Sequence, residues 1–184
     1  MVESEKENKP SRKILVTGAS GLIGGILAPF LASKDYQVMT LGRRAIRTDP
    51  TAFSWDPDHG EIDSQALEGV DTVIHLAGAN LVEGRWTQAR KLAIMDSRVR
   101  STRLLVEAMS RKTFGITTLV SSSAIGFYGD TGDQAADEAS SCGRGFLAEV
   151  CHAWESEAIK VVEMGTRVVL MRTGIVLTPQ GGAL

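Results

Sequence analysis

The length and composition of the chain indicate one globular domain and exclude several classes of protein. Of its 184 residues, 43% are hydrophobic and 23% charged, which is enough apolar sequence to bury a sizeable core. The net charge of −2 gives no overall field that would attract nucleic acid or an anionic membrane, and we expect neither as a partner.

The sequence also lacks the usual signs of a membrane span, a leader or a metal site. No run of about 18 apolar residues could cross a bilayer, and the first dozen residues are too acidic for a signal or transit peptide. We therefore expect a cytoplasmic protein, with an organelle matrix open if a transit peptide has been removed. Cys142 and Cys151 have no partner at zinc-ligand spacing, so they are predicted to be reduced thiols, Cys151 a small buried helix residue.

Apolar runs and helical patterns alternate along the chain after a solvated tail, residues 1–12. The runs predict strands at 13–17, 37–41, 52–55, 71–76, 118–122 and 167–172, with helices at 22–33, 87–110 and 146–164. Strands that are apolar on both faces and alternate with helices predict a doubly wound, Rossmann-type α/β domain over residues 13–184, with about six parallel strands. Ligands bind such sheets at the carboxyl ends of the strands.

The long second helix is predicted to place one apolar stripe against the sheet. The other side of this helix is basic, and we interpret it as a solvated surface rather than a binding face. The stripe comprises Leu92, Met95, Val99, Thr102, Val106 and Met109, and the basic side Arg90, Lys91, Arg98, Arg100 and Arg103.

A glycine-rich loop between the first strand and the first helix predicts a dinucleotide site. Of its glycines, Gly18 allows a tight turn, Gly21 lets a diphosphate approach the backbone, and Gly24 lets the helix pack close to the strand. The amino terminus of the helix then offers free N–H groups to the anion, and Ser20 adds a hydroxyl donor.

The residues after the second strand favour NADP over NAD. An acidic residue there would accept hydrogen bonds from a ribose, but Arg43 and Arg44 stand in this place and suit a 2′-phosphate. Asp56, after the third strand, is a candidate contact for the adenine amino group, with a turn role as the alternative.

Several short segments together carry a family resemblance over about residues 13–184. Besides the glycine loop, the set is WD at 55–56, HLAGA at 75–79, RWT at 85–87, SRV at 97–99, STR at 101–103, SSS at 121–123, FYG at 127–129 and RTG at 172–174. On these residues the chain resembles the extended and atypical short-chain dehydrogenase/reductases. More narrowly, it resembles the epimerase family described as nucleoside-diphosphate-sugar epimerase-like or cell-division-inhibitor-like.

The resemblance implies roles for individual residues. Ser123 matches the catalytic serine, which polarises a substrate carbonyl in this superfamily. The implied cofactor contacts are Gly18, Ser20, Gly21, Leu22 and Ile23 for the diphosphate, Arg43 and Arg44 for the 2′-phosphate, and Leu76, Ala77 and Gly78 for the adenosine-ribose side.

The chain departs from the superfamily where a tyrosine and, four residues later, a lysine transfer the proton. One alignment register places Phe146 and Val150 at these positions and the other places Leu147 and Cys151. Neither pair supplies a phenol or an amine, so acid–base catalysis is absent or comes from elsewhere, with Tyr128 as a candidate acid. His75, inside an apolar strand, is expected to be a core histidine or cofactor neighbour rather than a base.

Two functions therefore remain open. The first is an NADP-dependent oxidoreductase or epimerase acting on a small carbonyl or sugar-nucleotide substrate. The second is a non-catalytic NADP(H)-binding sensor or interaction module. Because extended members of the superfamily continue into a smaller substrate lobe, the resemblance leads us to expect that most of this lobe is absent from the sequence. The sequence does not indicate an oligomeric state.

Overall fold

A computed structural model describes residues 12–44, 48–81, 84–111, 114–178 and 181–182 of the chain. Of the predicted tail, residues 1–12, only Arg12 belongs to the described residues. Its carbonyl oxygen accepts a hydrogen bond from the backbone N–H of Gln37, at the start of the second strand.

The described residues form one seven-stranded sheet and a separate small hairpin. The strand order β4-β3-β2-β1-β5-β6-β7 reverses direction between β1 and β5, which confirms the doubly wound α/β fold. The sheet contains β1 (Lys13–Thr17), β2 (Gln37–Gly42), β3 (Ala52–Asp56), β4 (Glu61–Ile62), β5 (Thr72–His75), β6 (Thr118–Ala124) and β7 (Arg167–Thr173), and the hairpin pairs β8 (Leu177–Thr178) with β9 (Gly181–Gly182).

The six predicted strands are present, and β4 is an addition to them. It pairs antiparallel with β3, whereas the other neighbours in the sheet are parallel. Because β4 has only two residues, it is too short to show an alternation of apolar and polar side chains, so no such pattern could predict it.

Among the described residues, three α-helices connect these strands: α1 (Leu22–Ala32), α2 (Gln88–Met109) and α3 (Phe146–Ile159). Thr87 begins α2 because its hydroxyl accepts a hydrogen bond from the backbone N–H of Arg90 at 3.2 Å. The glycine Gly21 begins α1 and has no side chain to cap the helix. Within the described ranges, none of the helices has the length and apolar character needed to cross a membrane.

The main core lies between one face of the sheet and the pair α2 and α3. It is built from the alternate strand residues Leu15, Val73 and Leu119, which are fully buried against Leu105 and Ala158 of the helices. Right-handed crossovers place α1 on the opposite face, and within α1 only Gly24 is buried. The carboxyl ends of the strands, where β1 and β5 diverge, carry the residues of the candidate site.

The predicted apolar stripe of α2 is confirmed in its second half, where Thr102, Val106 and Met109 are buried, but not at its start. Leu92 is 59% exposed, while Ile94 and Leu105 are fully buried. Arg98, predicted to be solvated, is only 9% exposed because its guanidinium donates to the carbonyl oxygens of Ile94 and Ala79. Its Cζ also lies 5.2 Å from the ring centroid of Trp154.

Candidate functional site

The loop between β1 and α1 folds too tightly for side chains at two of its glycines. Gly18 has a φ of +70°, and a Cβ at this position would lie 2.8 Å from the carbonyl carbon of Leu76. A Cβ on Gly24 would overlap the carbonyl oxygen of Gly18 and lie 2.8 Å from the Cα of Ala19. The first turn of α1 therefore packs directly on the loop.

This geometry leaves backbone N–H groups at the start of α1 available to an anion. Gly21 donates to the carbonyl oxygen of Gly18 at 2.9 Å, which closes the turn below the helix. The residues after it begin the helix, where N–H groups have no partner one turn earlier and the helix dipole is positive. Leu22 and Ile23 supply N–H groups of this kind, as a diphosphate site requires.

The glycine loop and both arginines line a single cavity of about 930 Å³. Arg43 and Arg44 are exposed at its rim, directly after β2. Asp49 also lines the cavity, but its Oδ1 already accepts hydrogen bonds from the backbone N–H and hydroxyl of Thr51 at 2.9 and 2.6 Å. The hydrogen bonds from Thr51 lower the pKa of Asp49. Two cations face one carboxylate, which favours an anionic ligand.

Asp56 lies beside a second cavity of about 410 Å³, which Arg43 also lines. Its carboxylate accepts from the backbone N–H of Asp58 at 3.0 Å and contacts Nδ1 of His59 at 2.8 Å. The hydrogen bond with His59 lowers the pKa of Asp56 and raises that of His59. In these contacts Asp56 stabilises the turn between β3 and β4, which is the turn role given above as the alternative to an adenine contact.

Residues 76–78 follow β5 and are held in place by two buried polar side chains. Thr17 Oγ accepts hydrogen bonds from the backbone N–H groups of Leu76 and Ala77, each at 3.2 Å. Under Gly78 lies the guanidinium of Arg98, whose Cζ would be 3.1 Å from an added Cβ. Burial lowers the pKa of Arg98. The hydrogen bonds to Thr17 and the contact with Arg98 therefore hold residues 76–78 in place beside the glycine loop.

His75 is fully buried, as expected of a core histidine. Its Nδ1 lies 2.7 Å from Thr17 Oγ and its Nε2 lies 2.9 Å from Thr102 Oγ. Burial lowers its pKa to about 3, so the imidazole is neutral at physiological pH.

Ser123, at the carboxyl end of β6, belongs to a buried chain of polar contacts. Its hydroxyl donates to Oε1 of Glu155 on α3 at 2.5 Å, and the two residues are only 4% exposed. Arg172 on β7 binds the same carboxylate with two donors, Nε to Oε1 and Nη2 to Oε2, both at 2.9 Å. Its Nη1 donates to the Tyr128 hydroxyl at 3.0 Å. The hydrogen bonds with Glu155 raise the pKa of Arg172.

Tyr128 therefore joins Ser123 in one network through Glu155 and Arg172. It lies in the short 3-10 helix Ile125–Tyr128 that follows β6, where Arg172 stacks with its Cζ 3.6 Å from the Phe127 ring centroid. Sequence reasoning did not identify Glu155 or Arg172 as part of the site. The hydrogen-bonded partners in the network are 17 to 44 positions apart, so no local spacing relates them.

The face of α3 that approaches this turn carries Leu147 and Cys151. A Cβ on Gly126 would lie 3.2 Å from Cβ of Leu147 and 3.7 Å from Sγ of Cys151. Cys151 is 3% exposed, as predicted, and burial raises the pKa of its thiol. An alkyl group and a neutral thiol thus lie against this turn.

Comparisons with known proteins agree with this geometry. The model of the NAD dependent epimerase/dehydratase family matches residues 14–167, which is most of the chain. The chain belongs to this family. An epimerase family protein of Mycobacterium bovis is 42% identical over 171 residues, which are 93% of this chain and 56% of that relative.

Solved structures of the epimerase family superpose well on the chain. A nucleoside-diphosphate sugar epimerase from Corynebacterium glutamicum is 37% identical with a TM-score of 0.81, covering 95% of this chain and 36% of that one. The human epimerase family protein SDR39U1 (isoform 2), solved with NADPH, is 26% identical with a TM-score of 0.79, covering 93% of this chain and 56% of that one. The chain spans about half the length of the curated relatives it matches.

Proposed function

We propose that this chain binds a nicotinamide dinucleotide with a preference for NADP(H). The main observation in support is that the glycine loop, Arg43 and Arg44 line the same cavity. The amino terminus of α1 and Ser20 would hold the diphosphate, the two arginines the 2′-phosphate, and residues 76–78 the adenosine-ribose side. The human relative solved with NADPH supports the same choice, whereas another structural relative was solved with UDP-glucose and NAD.

We further propose that the chain is the cofactor-binding part of a cytoplasmic oxidoreductase or epimerase. Its substrate would be a small carbonyl compound or a sugar nucleotide, with Ser123 and Tyr128 at the reacting group. The nicotinamide, when bound, supplies hydride exchange. The chain's own residues orient the substrate, exclude water and move a proton.

A second candidate function is a non-catalytic NADP(H)-binding sensor or interaction module. The observation that favours it is that Leu147 and Cys151, one of the two pairs that align with the phenol and the amine of the superfamily, lie against the turn after β6. A chain with cofactor affinity and no turnover would fit this alternative.

Calorimetric titration with NADPH and NADH tests the cofactor assignment. Replacing Arg43 and Arg44 together by Ala should weaken NADPH binding about 10- to 100-fold, because hydrogen bonds to charged groups are lost, and leave NADH binding unchanged. The matched control replaces Arg111 and Arg167, two exposed arginines at the opposite end of the strands. An unchanged preference in the Arg43/Arg44 variant would contradict the assignment.

Turnover is tested by following NADPH absorbance with a panel of carbonyl compounds and sugar nucleotides. Activity that Ser123→Ala abolishes, with NADPH affinity retained, would support catalysis. If the chain binds NADPH but shows no turnover with any compound of the panel, the result would favour the non-catalytic binding module.

A further inference from the structure

The direction of the Ser123 hydrogen bond determines what this serine can offer to a substrate. A serine hydroxyl has one proton, and that of Ser123 is directed to Oε1 of Glu155 at 2.5 Å. Both carboxylate oxygens of Glu155 also accept from Arg172, as an ionised carboxylate does. Ser123 therefore presents only lone pairs to any further partner.

We propose that Ser123 accepts a hydrogen bond from a substrate hydroxyl and that Ser123 and Glu155 together form the proton acceptor of the site. This inference rests on the proposed oxidoreductase or epimerase function, and it specifies the substrate class as an alcohol. It replaces the expectation that Ser123 polarises a carbonyl by donating its proton.

The proton transfer balances without a phenol or an amine. The substrate O–H bond breaks and its proton bonds to Ser123 Oγ, while the former proton of Ser123 bonds to Oε1 of Glu155. Ser123 ends unchanged, Glu155 ends as a neutral carboxylic acid, and the substrate oxygen keeps the electron pair. The hydride that leaves the carbon needs the oxidised nicotinamide of the proposed function as its acceptor. In the reverse direction Glu155 returns the proton.

Arg172 is the positioning residue of this pair. Its two hydrogen bonds orient the carboxylate towards Ser123, and its stacking on Phe127 fixes the guanidinium in turn. The Tyr128 hydroxyl accepts from Arg172, which leaves its own proton free to be donated. The site thus has an acceptor at Ser123 and a donor at Tyr128.

Glu157 provides a matched control on the same helix. It is also buried, at 7% exposed, but its oxygens accept from Arg103 and Lys160 rather than from a serine. A substitution at Glu157 therefore removes a buried carboxylate of α3 without touching Ser123.

The first experiment examines the chain alone by proton NMR. A short hydrogen bond from a hydroxyl to a carboxylate should give a low-field hydroxyl resonance. We expect this resonance in the wild type and in Glu157→Gln, and its loss in Ser123→Ala and Glu155→Gln. A wild type without such a resonance would overturn the proposal.

The second experiment compares the binding of cyclohexanol and cyclohexanone by ligand-observed NMR, with and without NADP⁺. The wild type should prefer the alcohol about fivefold, the value of one hydrogen bond. Glu155→Gln removes the ionised carboxylate to which the serine proton is directed. The Ser123 hydroxyl can then donate to either probe, since the alcohol oxygen and the ketone oxygen both accept, so the preference for the alcohol should disappear.

Conservative variants separate this role from a structural one. Glu155→Asp should keep the preference for the alcohol, and Ser123→Ala should lose it. If Glu155→Gln does not fold, Ser123→Ala provides the test. An equal ratio of the two affinities in all variants, or binding of neither probe to the wild type, would overturn the inference. Titration of the same samples with NADPH shows which of the two proposals has failed. If the wild type does not bind NADPH, the proposed function fails; if it binds NADPH but shows no preference for the alcohol, only the further inference fails.

Discussion

The contacts of His75 identify which of its nitrogens carries the proton. Thr17 Oγ accepts from two backbone N–H groups, so its own proton goes to Nδ1 of His75. Thr102 Oγ donates to the carbonyl oxygen of Arg98 at 2.7 Å and therefore accepts from Nε2–H. A second proton on Nδ1 would face the proton that Thr17 donates, so only the neutral ring can make both hydrogen bonds. The neutral ring therefore links β5 to Thr102 of α2.

This burial predicts that the stability of the chain falls in mild acid. The folded pKa of His75, about 3, lies below the ordinary 6.5, so the unfolded chain binds the proton first as the pH falls through 6.5. Between about pH 7 and about pH 5 the free energy of unfolding should drop by about 2 kcal/mol from this residue. Urea unfolding at the two pH values measures the drop.

A His75→Gln variant isolates the contribution and should show a flatter pH dependence than the wild type. His59, whose pKa is raised by Asp56, acts in the opposite sense over this window, but it is exposed and present in both proteins. Replacement of the exposed His152 serves as the control and should leave the slope unchanged. Equal slopes in the wild type and His75→Gln would refute the prediction.

At the scale of elements, the contact between the glycine loop and α1 predicts opposite effects at two adjacent glycines. Gly24→Ala should destabilise the chain by about 1–3 kcal/mol, because its Cβ overlaps the backbone of Gly18 and Ala19. Gly25→Ala places its Cβ 3.6 Å from the carbonyl oxygen of Ala19, an ordinary contact, and should stabilise the helix by up to about 1 kcal/mol.

Urea unfolding measures both variants, and NADPH titration shows whether the loop has moved. Gly24→Ala should also weaken cofactor binding, whereas Gly25→Ala should retain it. Equal stability of the two variants would mean that the third glycine of the loop has no packing role.

The connection of α3 to β7 predicts unequal costs for two arginine truncations. Arg172→Ala leaves the buried Glu155 without a cationic partner and should cost about 3 kcal/mol or more. Arg103→Ala leaves Glu157 paired with Lys160 at 2.6 Å and should cost about 1 kcal/mol or less. Thermal or urea unfolding of the two variants gives the comparison, and similar losses would contradict it.

These elements also show what could be predicted from the sequence. Six strands of the sheet and the glycine loop were predictable because both are local: one is a run of apolar residues and the other a spacing of glycines at a strand end. The burial of Arg98 on α2 was not, because it depends on hydrogen bonds to carbonyl oxygens and on packing against Trp154, which no helical period encodes. The pairing of Ser123 with Glu155 and Arg172 depends on the packing of three separate elements.

At the scale of the whole molecule, the two faces of the sheet differ in how fully they are covered. The row formed by Leu15, Val73 and Leu119 is fully buried under α2 and α3. On the other face, Ile74, Val120 and Val169 are register partners across β5, β6 and β7, and each is only half-buried. The helix on that face, α1, packs against β1 and β2, and in the part of the chain that the structure describes no helix covers β5, β6 and β7 on this face.

The same substitution on the two faces should therefore have different costs. Val73→Ala removes fully buried methyl groups from the main core and should cost about 2–3 kcal/mol, from lost burial and from the cavity it leaves. Val120→Ala acts on the open face, where solvent already reaches the side chain, and should cost about 1 kcal/mol or less. Urea unfolding compares the two variants directly. A loss at Val120 as large as that at Val73 would show that something covers the open face in solution, and sedimentation of the wild type would then reveal whether a second copy does so.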